Sequence, residues 1–187
     1  MIIDFIGAIA TGLGLLGVVL LLNRLFGRLL SRRFGRWVYP ATVAIGMIGY
    51  TVWAEYSWPV RTIEGSPQMR LASSNEQSVF YRPWTYIWPQ VTRLTVIDQS
   101  HTLVHPEQPQ RVLTQVVFIG RWAPIRVAGV VFDCDLRARV DLRDGVELRA
   151  DGSVQGADWR DLEADDPVLR TACTVGEEIR NGRGDNT

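Results

Sequence analysis

Residues 24–36 (RLFGRLLSRRFGR) carry five arginines between two apolar stretches, and no basic residue precedes them. Short arginine-rich segments stay on the cytoplasmic side of a membrane. This strip therefore predicts two membrane helices that reverse direction at it and a C-terminal part outside the cytoplasm. We expect a helical extension of the first span with its arginines on lipid phosphates; a specific lipid or acidic-partner site is the alternative. The arginines are Arg24, Arg28, Arg32, Arg33 and Arg36.

The stretch before the strip runs from Phe5 to Leu22 without a charge, which is eighteen residues. A helix of that length nearly crosses a hydrocarbon core of about 30 Å. A secretory signal peptide carries its positive charge before the apolar run, so we reject that interpretation. We expect the first membrane helix over residues 3–23.

The second stretch, from Trp37 to Trp58, is less apolar but has aromatic residues near both ends, as membrane helices do at headgroup level. A buried helix of a soluble protein is the alternative. We expect a second membrane helix over residues 37–57. All 20 basic residues are arginine, which is typical of a GC-rich bacterial genome. The expected location is a bacterial inner membrane, with the N-terminus and the C-terminal domain in the periplasm.

Glycines in the two apolar stretches offer notches for helix packing. Gly12, Gly14 and Gly17 match the dinucleotide-binding fingerprint letter for letter, but a continuous membrane helix lacks the strand and turn that this fingerprint requires. Small residues four positions apart instead allow two membrane helices to approach closely. We expect Gly12 and Gly14 to pack against Gly46 and Gly49; packing on a larger membrane partner is the alternative.

Residues 59–76 contain prolines, a glycine and paired serines, which predicts a linker. Strand patterns follow at residues 78–81, 91–97, 112–119, 125–133, 137–142 and 146–149. Asp144-Gly145 is the strongest hairpin signal, and Asp151-Gly152 gives a second turn. The sheet is therefore expected to be mostly antiparallel.

One helix is expected to close the domain, because Asp166 is a candidate N-cap and Pro167 suits the first helical position. Residues from Asn181 onward form a polar tail, predicted as disordered over 181–187. The predicted fold is α+β: a two-helix transmembrane hairpin (residues 1–58), then a mostly antiparallel sheet domain over residues 77–180 with one C-terminal helix.

The only two cysteines, Cys134 and Cys173, both fall in the part expected outside the cytoplasm. In an oxidising compartment such a pair is first interpreted as a disulfide. A disulfide that closes a loop of about forty residues stabilises the folded state by about 3–4 kcal/mol on the chain-entropy model. A redox pair would show the C-x-x-C spacing, which the sequence lacks.

A short pattern over residues 112–175 resembles a known group of proteins. It consists of Asp133-Cys134, Arg139, Asp151-Gly152-Ser-Val154, Trp159-Arg-Asp-Leu162, Pro167 and Ala172-Cys173. This order resembles the C-terminal pattern of the surface-adhesin protein E group of small periplasmic proteins. The resemblance implies a disulfide-closed, non-catalytic module.

The candidate catalytic and metal-binding residues are few. His101 and His105, with Asp98 and Glu107, form the one cluster of metal-ligand types, but Pro106 and the flanking strands predict a loop of solvated side chains. Asp133, Asp135, Asp141 and Asp144 lack the spacing of a calcium loop and alternate with arginines, which indicates ion pairs. We expect no metal and no cofactor. The balance of 20 acidic and 20 basic residues argues against nucleic-acid binding.

The segment Arg82-Pro-Trp-Thr-Tyr-Ile-Trp-Pro89 is the best candidate for a binding surface. On a strand, Trp84, Tyr86 and Trp88 would share one face, and large aromatic side chains dominate protein interfaces. The alternatives are core packing or insertion into the outer leaflet.

We therefore predict a membrane-anchored, non-catalytic accessory protein with lipids and a membrane or periplasmic protein as partners. A subunit of a larger membrane complex and a periplasmic metal-dependent enzyme are the alternatives.

Overall fold

The computed structural model describes residues 2–29, 35–142, 147–148, 154–156 and 158–184. The chain divides into two compact units, Met1–Trp58 and Pro59–Thr187. The architecture is α+β, with three helices and a six-stranded antiparallel sheet among the described residues.

The first unit pairs helix α1 (Ile2–Leu29) with helix α2, which begins at Val38 and continues to Glu64. Of the described helices, α1 alone is long and apolar enough to cross a membrane, over Asp4–Leu25. Helix α2 is of similar length, but its polar and charged side chains lower its apolar character. A single membrane-span candidate is therefore established, and the second span stays a prediction.

Glycine contacts bring the two helices together in antiparallel order. Tyr50 of α2 lies on Gly7 of α1, and a Cβ atom at Gly12 would lie 3.0 Å from Met47 Cγ. Farther along, Asn23 Nδ2 donates to the Tyr39 hydroxyl at 2.6 Å. The contacts therefore run from the start of α1 at one end to the start of α2 at the other.

The segment predicted as a linker over residues 59–76 is largely regular structure. Helix α2 continues through Pro59 to Glu64, and strand β1 occupies Met69–Gln77. Only four residues, 65–68, connect the two elements. The linker prediction was wrong because β1 is an edge strand whose side chains are mostly exposed, so it has no apolar alternation.

The sheet is an antiparallel meander in chain order, with a sixth strand, β8 (Arg160–Asp161), beside the fifth. After β1, its strands are β2 (Gln90–Val104), β3 (Arg111–Gly120), β4 (Arg126–Asp133) and β5 (Ala138–Asp141). Consecutive residues Val96 and Ile97 of β2 are both fully buried although they point to opposite faces, so both faces of the sheet are covered.

Three two-residue strands follow β5. Strands β6 (Glu147–Leu148) and β7 (Val154–Gln155) pair with each other across the predicted Asp151-Gly152 turn, which itself lies outside the described residues. Strand β8 (Arg160–Asp161) pairs with β5. The hairpin predicted at Asp144-Gly145 is therefore not formed between β5 and β6: among described residues, β5 pairs with β4 and β8. The turn residues themselves are also outside the described residues.

Helix α3 (Pro167–Gly184) covers one face of the sheet. The Asp166 carboxylate accepts hydrogen bonds from the backbone N–H groups of Val168 and Leu169, both at 2.9 Å, which confirms the predicted N-cap. The core beneath α3 contains Leu169 and Ala172 of the helix and Ile97, Val116, Val130 and Phe132 of the sheet. The helix continues to Gly184, so most of the segment predicted as a disordered tail is helical, and residues 185–187 lie outside the described residues.

Cys134 and Cys173 form a disulfide with a Cα–Cα distance of 6.0 Å, as predicted. The bond joins the turn after β4 to the first half of α3. It thereby ties the closing helix covalently to the sheet.

Candidate binding surface

The connection between β1 and β2, residues 78–89, exposes six large apolar side chains, and we call it the aromatic loop. Exposed apolar side chains concentrated in one short segment are typical of an interaction surface, so the aromatic loop is a candidate binding surface. The exposed fractions are 84% for Phe80, 65% for Tyr81, 44% for Trp84, 66% for Tyr86, 70% for Ile87 and 64% for Trp88.

A fully buried threonine holds the aromatic loop in shape. The Thr85 hydroxyl donates to the Arg82 carbonyl at 2.7 Å and accepts from the Val79 backbone N–H at 2.9 Å. The Ser78 hydroxyl donates to the Thr85 carbonyl at 2.9 Å, and an Arg82 guanidinium nitrogen donates to Gln90 Oε1 at 3.0 Å. This network lets the loop present its aromatic side chains with little ordering cost on binding.

The aromatic loop is not the strand that the sequence pattern predicts. Pro83–Tyr86 form a short 3-10 helix, and only a single bridge, between Val79 and Arg82, remains of the strand expected over 78–81. Pro83 lacks a backbone donor and has a fixed φ, which favours the first position of such a turn over a paired strand. Trp84, Tyr86 and Trp88 are accordingly not aligned on a strand face, but each is exposed rather than packed in the core.

A second exposed apolar group lies at the same end of the sheet. The turn between β3 and β4, residues 121–125, adjoins the start of β2, since the Arg121 N–H donates to the Thr92 carbonyl at 3.3 Å. Here Trp122 and Ile125 are 61% and 63% exposed, and Val127 at the start of β4 is 56% exposed. We call this turn together with the aromatic loop the aromatic end. Its second part was not predicted, although residues 121–127 (RWAPIRV) carried an apolar and aromatic signal.

The aromatic end is also cationic. Residues 78–97 and 112–132, which contain it, hold four arginines and no Asp or Glu. The Arg121 guanidinium lies 4.9 Å from the centre of the Trp122 ring, and that of Arg82 lies 5.8 Å from the Tyr81 ring. Arg93 and Arg126 are exposed. The surface is therefore suited to a ligand that combines apolar and anionic groups.

The predicted loop histidine His101 instead lies on β2, beside Asp98 and Ser100. His101 Nδ1 lies 2.9 Å from Asp98 Oδ2 and 3.1 Å from the Ser100 hydroxyl. A Ser–His–Asp relay requires the serine and the aspartate at opposite ring nitrogens, whereas here both meet Nδ1. The Ser100 hydroxyl also donates to Asp98, so the cluster is a local hydrogen-bonded cap on a strand bulge.

Burial raises the pKa of the Asp98 carboxyl, but hydrogen bonds from Ser100 and the neighbouring His101 outweigh it, so the pKa lies below its ordinary value. His105 accepts a hydrogen bond from the backbone N–H of Glu107 at 3.2 Å. No group of three or more His, Cys, Asp or Glu side chains suited to a metal ion occurs within the part of the chain that the structure describes.

The acidic residues near the disulfide have structural partners. The buried Asp133 accepts from Arg111 Nε at 3.3 Å and from the backbone N–H groups of Asp135 and Leu136. Asp141 lies 3.9 Å from Arg139 Nε. Asp133 therefore braces the turn that carries Cys134, and Asp144 lies outside the described residues.

The arginines of the strip and the glycines predicted for helix packing differ in whether they are described, exposed or in contact between the helices. Arg24 and Arg36 are exposed, Arg28 lies on α1, and Arg32 and Arg33 fall outside the described residues. A Cβ atom at Gly46 would lie 2.5 Å from Leu15 Cδ1, so Gly46 and Gly12 lie at the contact between α1 and α2. Gly14 and Gly49 have no atom within 4 Å of their Cβ positions and lie away from it.

Comparison of the chain with protein-family models, with curated proteins and with solved structures finds no match.

Proposed function

We propose that this protein is a two-pass protein of a bacterial inner membrane whose periplasmic α+β domain acts by binding and not by catalysis. The aromatic loop is the binding surface. The observation that carries this proposal is the exposure of six large apolar side chains on a loop held by the buried Thr85. Large aromatic side chains at a preorganised site supply most of the binding energy in many interfaces.

Three observations support the location. Helix α1 is apolar enough to cross a membrane, and the disulfide indicates an oxidising compartment. The arginine strip favours a cytoplasmic connection between α1 and α2. Helix α2 would be the second span, with Tyr50 and Trp53 near the outer interface. The resemblance to the surface-adhesin protein E group further supports a disulfide-closed module without catalytic activity.

Labelling of single introduced cysteines in intact cells tests the topology. We expect a cysteine at Leu136 to react with a membrane-impermeant reagent, and one at Arg33 to react only after the cells are opened. Reaction at residue 33 from outside would refute the orientation.

Photocrosslinking in cells tests the binding function. A photoreactive amino acid at Tyr86 should form adducts, whereas the same amino acid at Leu136, which is 70% exposed at the opposite end of the sheet, should not. Equal yields at the two positions would refute the assignment of the aromatic loop.

A second candidate is a subunit of a larger membrane complex that packs through the helix pair. The open space beside Gly14 and Gly49 favours it, because these notches are not filled by the facing helix. If a chain lacking residues 60–187 still co-purifies with a membrane complex in mild detergent, this candidate replaces the first.

A further inference from the structure

We propose that the ligand of the aromatic end is an anionic lipid bilayer, so that the domain contacts the membrane at a site separate from its helical anchor. This inference rests on the proposed function, since it requires the anchor and the aromatic loop to work together. It names the partner that the proposed function leaves open.

The composition of the aromatic end matches that of a membrane interface. Trp and Tyr are the residues that membrane proteins place at headgroup level, and this surface exposes Trp84, Trp88, Trp122, Tyr81 and Tyr86. Phe80 and Ile87, the two most exposed apolar side chains of the loop, would reach the acyl boundary below them.

The charge pattern favours anionic headgroups. Arg93 and Arg126 are exposed beside the aromatic side chains, and the segments that form this end contain no acidic residue. The nearest acid along the chain is Glu76, which pairs with Val91 and so lies at this same end of the sheet, where four arginines outnumber it. Each arginine near an anionic surface strengthens membrane association about fivefold.

The opposite end of the sheet lacks this combination. The connections at that end, residues 105–110 and 134–137, include the acids Glu107 and Asp135 against one arginine, Arg137, and Leu136 is the large apolar side chain they expose. Two ends of one sheet thus differ in both apolar exposure and charge. This difference supplies a matched internal control.

Chain connectivity limits the distance between the aromatic end and the membrane anchor. After Trp58 the chain has six helical residues to Glu64, four connecting residues and the nine residues of β1 before the aromatic loop begins. These elements span at most about 50 Å. The bilayer that holds the anchor is therefore a partner present at high effective concentration.

The test uses the full chain in lipid nanodiscs, with the Cys134–Cys173 disulfide intact and one introduced cysteine carrying an environment-sensitive fluorophore. Ile87→Cys reports on the aromatic end and Leu136→Cys on the control end. In discs of phosphatidylcholine with phosphatidylglycerol, we expect the fluorescence emission of the label at residue 87 to shift to shorter wavelength. Nitroxide-labelled lipids should quench this emission. The label at 136 should do neither.

Headgroup charge provides the second arm of the test. Arg93→Gln and Arg126→Gln should each lower the equilibrium constant for contact between the aromatic end and the membrane by about fivefold. The membrane-bound fraction of the label at residue 87 measures this constant. This reduction should appear in discs with phosphatidylglycerol and be absent in phosphatidylcholine alone. An equal effect in both lipids would overturn the role of anionic headgroups.

The remaining outcomes separate this inference from the proposed function. A label at 87 that stays exposed to water in both lipids overturns the membrane contact. If photocrosslinking at Tyr86 then yields protein adducts, the binding function stands with a protein as partner. A chain that does not remain in the discs at all overturns the anchor, and both proposals with it.

Discussion

Substitution of Gly176 by alanine tests how closely α3 packs on the sheet. A Cβ atom at Gly176 would lie 2.6 Å from Val112 Cγ2 and 3.6 Å from Val104 Cγ2. Carbon atoms in favourable contact are about 3.5–4.0 Å apart, so the added methyl group overlaps Val112 by about 1 Å. Val112 is 2% exposed and its β-branched side chain is restricted at χ1, so it has little room to move aside. The helix or the strand must therefore shift.

The expected cost of this overlap is about 1–3 kcal/mol. Alanine also gains up to about 1 kcal/mol in helix propensity over glycine, which offsets part of the cost. Gly182→Ala is the matched control, because it lies on the same helix and has no atom within 4 Å of its Cβ position. Gly182 lies in the last turn of α3, so its gain in propensity is at most that of Gly176, and the difference between the two stabilities is a lower bound for the cost of the overlap.

Thermal unfolding of the full chain in detergent, followed by near-ultraviolet circular dichroism, measures that difference. For a domain of this size we expect Gly176→Ala to melt about 3–10 °C below Gly182→Ala. Adding Val112→Ala to Gly176→Ala should cost less than Val112→Ala alone, because the two residues are coupled. A Gly176→Ala variant as stable as the Gly182→Ala control would refute the close packing of α3.

Three further predictions concern the disulfide, the Asp98 cluster and the helix pair. Replacing Cys134 and Cys173 together by alanine should lower the free energy of unfolding by about 4 kcal/mol, as measured in urea, since the bond closes a loop with a sequence separation of 39 residues. The pKa of the Asp98 carboxyl is lower in the folded state, so this group stabilises the fold fully at a pH above its unfolded pKa of about 3.9. The stabilisation is lost as the pH falls through the folded pKa. In the Asp98→Asn variant, the free energy of unfolding should therefore fall less steeply with decreasing pH than in the unsubstituted protein. The same steepness in both proteins would contradict this prediction. Gly46→Leu should separate α1 from α2, with loss of a cysteine crosslink between them, whereas Gly49→Leu should leave the crosslink intact.

Local periodicity predicted the parts of the fold that depend on neighbouring residues. Strands β3 and β4 are short apolar runs rich in valine, and β5 alternates apolar and polar residues. Helix α3 begins with a capping aspartate followed by proline, so both kinds of element are visible in the sequence. The disulfide was predictable because the chain has only two cysteines. These signals establish an antiparallel sheet closed by a helix.

Long-range pairing is what the sequence pattern could not supply. Edge strand β1 (MRLASSNEQ) resembles a linker, because it packs few side chains and is defined by its hydrogen bonds to β2. Strand β5 pairs with β8, about twenty residues away, where a local turn signal favoured β6. In the candidate site, aromatic side chains at every second position of residues 84–88 are typical of a strand. The preceding Pro83 and the hydrogen bonds of Thr85 instead favour a 3-10 helix.

The Cys134–Cys173 bond also makes a covalent ring of the chain from the turn after β4 to the first half of α3. Strands β5 to β8 all lie within this ring. Hydrolysis of one peptide bond inside it leaves the helix and the sheet joined as a single molecule. A protease that cuts this part of the chain therefore opens it without releasing α3 from the core that it covers.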